Sequence, residues 1–121
     1  MALVLCTGID KALLQSRRLI LERAGHTVVS AMDDQTLTTV CQKNSFDVAV
    51  IGQTVSPNMK QRIASLVRQH CPDAKILELY PLYSEKVLTD ADSWLSVPVD
   101  VPKDLADRVN ELAQGKSGTN A

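Results

Sequence analysis

The sequence predicts an α/β domain: a doubly wound, five-stranded parallel sheet of (βα)5 order with a short or irregular fourth helix. Short apolar runs, each long enough for one strand, alternate along the chain with longer amphipathic stretches. The runs are apolar on nearly every position, as strands covered on both faces require. With 121 residues, 45% of them hydrophobic, the chain is sized for one core, and with 3% aromatics that core is aliphatic.

Residues 2–6 (ALVLC) form the first strand, closed by Thr7-Gly8. Asp10 opens a helix to about Ala24, with Leu13, Leu14, Ile20 and Leu21 inward and Arg17, Arg18, Glu22 and Arg23 outward. Gly25 is the C-cap. Residues 26–31 (HTVVSA) are a shorter, more polar second strand, and Asp33 caps a helix to about Lys43. Residues 46–51 (FDVAVI), apolar except at Asp47, are the central strand. They run into a loop with Gly52, Gln53 and Pro57, and Pro57 starts a helix to His70 that Cys71-Pro72 stops. Residues 75–79 (KILEL) are the fourth strand. Residues 81–92 are irregular, with one or two helical turns over 84–88. Residues 93–97 (SWLSV) are the fifth strand, and the last helix runs from Pro102 to about Gln114. Residues 1–114 make the domain and 115–121 a flexible tail.

Function concentrates at the carboxyl ends of such strands. The third strand ends there without Asp, Glu, His, Cys or Lys. The net charge of −1 gives no basic patch for nucleic acid or a membrane surface. No apolar run reaches the length of a membrane span or a secretion signal. Cys6, Cys41 and Cys71 lack CxxC spacing, which argues against zinc or a disulfide framework and for a reduced, cytoplasmic setting. Cys6 reads as a small buried hydrophobe, and His70-Cys71 offers too few ligands for a metal. Gly115-Lys116-Ser117 fails as a phosphate loop, because position 110 is Asn and no helix follows. His26 reads as an exposed turn residue and the Arg17, Arg18, Arg23 group as a solvated helix face. Asp10 reads as an N-cap, a lone carboxylate being poor for a divalent ion. No cofactor, metal or enzymatic activity is expected.

Over residues 2–114 the element order and three segments resemble the response-regulator receiver family, of flavodoxin-like fold. LVLCTGIDKALLQSRRLILERAGHTVVSA resembles a receiver's first strand, helix and second strand. FDVAVIGQTVSPNM resembles its third strand and phosphorylation loop. SWLSVPVDVPKDLADRV resembles its fifth strand, Lys-Pro step and last helix. The resemblance implies an acidic pair for Mg²⁺, an Asp phosphoacceptor, a Ser/Thr and a Lys. The acidic-pair positions hold Gly8 and Ile9, with Asp10 beside them, and the acceptor falls on Gly52 or Gln53. The Ser/Thr position is Leu79 or Tyr80, and the Lys is Val97. Phosphoryl transfer needs a nucleophilic oxygen and a charge-neutralising cation, so a degenerate, non-phosphorylatable pseudo-receiver is expected.

The resemblance also implies a docking face at the fourth helix, fifth strand and fifth helix. Tyr83, Trp94 and Val99 are candidates there for contact with a kinase, an effector or a second copy; the other reading of Trp94 is edge packing. The rival function is a small-molecule regulatory domain, with Gly8, Gly52, Gln53 and Thr54 presenting amides into an emptied pocket.

Overall fold

The computed structural model describes residues 2–97 and 103–115. Five strands form one parallel sheet in the order β2-β1-β3-β4-β5. They are β1 (Leu3–Thr7), β2 (Thr27–Ala31), β3 (Val48–Ile51), β4 (Lys75–Pro81) and β5 (Ser93–Val97). The helices among the described residues are α1 (Lys11–Arg23), α2 (Asp34–Lys43), α3 (Pro57–His70) and α4 (Lys103–Ala113). The doubly wound prediction matches this architecture. Right-handed crossovers and the reversal of strand order at β1 put α1 and α4 on one face and α2 and α3 on the other.

Each strand's alternation feeds two cores. Val4, Cys6, Val50, Leu77 and Leu79 meet Leu14, Leu21, Leu105 and Val109 on the first face. Leu5, Ala49, Ile51 and Ile76 meet Leu37, Cys41, Ile63 and Val67 on the second. The helix starts follow local chemistry: the side chains of Asp10, Asp33 and Ser56 accept from the amides of Leu13, Thr36 and Met59. Gly25 ends α1 at φ 95°, where a side chain would be strained.

Residues 82–92 are irregular, as expected in place of a regular fourth helix; they hold turns, and the helical turns allowed over 84–88 do not form. Two expectations are corrected. His26 is buried, not an exposed turn residue; its Nδ1 accepts the Ala2 amide at 3.0 Å. Arg17 is buried at 8% exposure, not on a solvated face. The remainder of the basic group, Arg18 and Arg23, is exposed. Among the described residues, no helix is long and apolar enough to cross a membrane. Residues 116–121, nearly all of the expected flexible tail, lie outside the described residues.

Candidate functional site at the carboxyl edge of the sheet

β1 and β3 run side by side, Thr7 level with Ile51, and the Gly52 amide continues the ladder by donating to the Thr7 carbonyl at 3.0 Å. Gly52 is thus the last residue held at the sheet's edge, and Gln53 the first to leave it. A Cβ on Gly52 would lie 2.9 Å from the Thr7 carbonyl oxygen and 3.3 Å from Arg17 Nη1. Alternation along β3 aims position 52 at the α1 face, and Arg17 reaches back to meet it.

Arg17 Nη2 donates to Gln53 Oε1. Burial, the largest influence, pushes the guanidinium below its ordinary range, while Cys6 and Asp10 oppose the shift. The Cys6 thiol is itself pushed up to about 12 by burial. No ion pair among the described residues involves Arg17.

The other sequence-predicted positions scatter. Gly8 is buried, Ile9 is 58% exposed, and Asp10 is exposed with its carboxylate on the Leu13 amide at 3.2 Å. Gly8 and Ile9 border a cavity of about 20 Å³, room for about one water, whose mostly apolar lining of Met32, Val55 and Met59 also includes Asp33 and Asp34. Among the described residues, no group of three His, Cys, Asp or Glu side chains is placed to hold a metal ion. Leu79 is fully buried in the α1/α4 core, Tyr80 is half-buried on the opposite face, and Val97 is half-buried at the end of β5.

The second face carries a buried ion pair that sequence reasoning missed. Lys60 and Glu78, 2% and 0% exposed, meet at 2.8 Å, and Lys60 Nζ also donates to the Leu79 carbonyl at 2.8 Å. The Glu78 carboxylate accepts the amides of Val87 and Leu88 at 2.7–3.1 Å. Trp94 Nε1 donates to the Leu88 carbonyl at 2.7 Å, and Lys86 Nζ sits 4.8 Å from the Trp94 ring. Trp94 is therefore half-buried and tethered. Tyr83, by contrast, is 98% exposed at φ 71°, in the turn that the Ser84 amide closes onto the Pro81 carbonyl. Val99, the third residue of the expected contact patch, lies outside the described residues.

A helical-stripe reading would have found both buried cations. Arg17 lies three residues after Leu14 and four before Leu21; Lys60 lies three before Ile63 and seven before Val67.

No family model matches the sequence, and no curated protein matches it. Solved structures do match the fold. The receiver domain of the Francisella response regulator 1452 superposes with a TM-score of 0.77 at 22% identity, over 95% of this chain and 98% of that one. A response regulator from Thermotoga maritima gives 0.76 at 19% identity, over 94% and 98%. Chemotaxis response regulator CheY4 of Vibrio cholerae gives 0.75 at 22% identity, over 93% and 98%. This is the receiver fold. At such identity the likeness carries architecture and not chemistry.

Proposed function

We propose that this chain is a cytoplasmic signalling module of receiver fold that works without aspartyl phosphorylation, by binding a protein partner or a second copy of itself. The partner class is a kinase or effector, the kind receivers engage; nucleic acid and membrane are not part of this reading. The observation that carries it is the closed space at Gly52. Neither position on which the acceptor can fall, Gly52 or Gln53, carries a nucleophile, and at Gly52 a side chain would lie against the Thr7 carbonyl and the Arg17 guanidinium. The acidic-pair positions hold Gly8 and Ile9, neither of which offers a carboxylate, and Val97 stands where the family's Lys would be. This also weighs against the emptied-pocket form of the small-molecule reading, since Arg17 takes the space beside Gly52.

Tyr83 supports the partner reading. A β-turn with positive φ at its third residue favours Gly or Asn, and holding Tyr there costs about 1–2 kcal/mol. The ring is exposed beside Leu82, itself 48% exposed, and tyrosine is a preferred anchor at interfaces.

The test of the lost chemistry is incubation with acetyl phosphate and Mg²⁺, followed by intact mass. The expected result is unmodified protein. An adduct that survives acid and is lost in base would identify an acyl phosphate and overturn the reading. The test of the surface is recovery of partners by wild type and by Tyr83→Gly. Equal recovery would remove Tyr83 from the contact surface.

A further inference from the structure

We infer that the cleft between α1, the β3 loop and the ends of β4 and β5 is a binding site for a small carboxylate with an apolar body. The cleft measures about 350 Å³, the size of a small-ligand site, and its walls include Ile20, Leu79, Leu95 and Leu105. Arg17 and Gln53 are at its head. It lies on the α1/α4 side of the sheet, apart from the small apolar cavity beside Gly8 and Ile9.

The charge selects the ligand. Arg17 is more than nine-tenths buried, yet among the described residues its guanidinium has one acceptor, the neutral Gln53 Oε1, and no carboxylate. A guanidinium offers five N–H donors. Among the described residues no buried polar side-chain atom is left without a partner, and Arg17 lines the cleft. A partly desolvated cation with no carboxylate beside it among the described residues is costly, and an anion delivered through the cleft relieves that cost. The guanidinium's planar fork matches a carboxylate in two parallel hydrogen bonds. The leucine and isoleucine walls add stabilisation for each methylene covered, about 0.8 kcal/mol apiece. A bare phosphate gains nothing from those walls and finds a single cation.

The inference goes beyond the proposed signalling role and rests on it only in taking the strand ends to be free of phosphoryl chemistry. Acetyl phosphate labelling and ligand titration report independently, so either can fail alone.

The test is an NMR titration of the full chain with hexanoate, 1-hexanol and inorganic phosphate. Hexanoate is expected to shift the Arg17 Nε–H signal and the methyl signals of Leu95 and Leu105 saturably, with a dissociation constant of about 1 mM or tighter. Hexanol and phosphate are each expected to bind at least about tenfold more weakly. Arg17→Met removes the charge while keeping an apolar stem. Gln53→Glu, nearly isosteric, installs an internal carboxylate on Arg17 without disturbing the core. Either variant is expected to weaken hexanoate binding at least about tenfold. The inference is overturned by absence of saturable shifts with hexanoate, by equal binding of hexanol, by tighter binding of phosphate, or by a folded Gln53→Glu that binds hexanoate as wild type does.

Discussion

Placing a single methyl group at Gly52 tests the account of the carboxyl edge most directly. A Cβ there would sit 2.9 Å from the Thr7 carbonyl oxygen, a backbone atom fixed by the β1–β3 ladder. Relief requires the two strand ends to part, which weakens the 3.0 Å Gly52–Thr7 hydrogen bond as well. Arg17 Nη1, 3.3 Å away, is held by Gln53 and cannot retreat freely. Overpacking of this kind costs about 1–3 kcal/mol. Against it, Gly→Ala restricts the unfolded chain, a gain of about 0.4–1 kcal/mol, and position 52 has no positive φ to forbid alanine. The net expectation is a loss of about 1–2 kcal/mol.

Gly8→Ala is the matched control. It lies on the same edge, also without positive φ, and its Cβ would meet Leu14 Cδ2 at an ordinary 3.6 Å. It is expected to be neutral or to gain up to about 1 kcal/mol. The assay is urea denaturation of both variants and wild type. With m near 1–3 kcal/mol/M, the two alanine variants should differ in midpoint by about 1 M. If Gly52→Ala is as stable as Gly8→Ala, the space beside Gly52 is open and the reasoning fails.

The other predictions are independent of that space. Lys60→Met should cost about 3–5 kcal/mol by leaving Glu78 buried and unpaired, and Lys60→Met with Glu78→Leu should cost less in the same urea assay. Amide hydrogen exchange at Val87 and Leu88 should quicken whenever Glu78 is replaced. Burial, helped by the N-terminal charge and opposed by Asp47, lowers the His26 pKa below its ordinary 6.5, so between those values the unfolded chain binds a proton that the folded one refuses. Stability should therefore fall as pH drops through about 6.5 and stay level above it, and His26→Gln should flatten this fall in urea melts at about pH 7.5 and about pH 5.5. Tyr83→Gly should raise stability by about 0.5 kcal/mol, relief of the left-handed backbone exceeding the entropy of glycine, as read by thermal melting. Cys6, with its pKa pushed up to about 12, should resist a thiol reagent in the native protein and react on unfolding.

The scaffold was legible because each element carries a local reason to form. Asp33 and Pro57 mark helix starts that the structure reproduces at Asp34 and Pro57, and residues 93–97 are β5 as expected. That Gly52 and Gln53 carry no nucleophilic side chain is visible in the residue types alone. Arg17 and Lys60 look like surface cations to a reading that sorts by polarity, although the helical stripe carries both; their partners, Gln53 and Glu78, lie at long separations that the stripe does not reveal. His26 was misplaced for the same reason, since its partner is the Ala2 amide at the other end of the first βαβ unit. The 82–92 segment was ambiguous because the carboxylate that organises it sits on β4, outside the segment.

The two buried cations also set the electrostatics of this edge. Lys60 is neutralised on the spot by Glu78, so its field beyond the pair is small. Arg17 has the Gln53 amide and no carboxylate among the described residues, so its positive charge is not offset there. At a separation of about 6 Å and an effective dielectric of about 20, a guanidinium repels a divalent cation by about 5–6 kcal/mol. An anion of unit charge at that separation is attracted by about half as much. Acidic residues restored at positions 8, 9 and 52 would have to overcome that repulsion before assembling a metal site, and the one at position 52 would be drawn to Arg17 itself. Among the described residues, the burial of Arg17 therefore disfavours a cation at this edge and favours an anion.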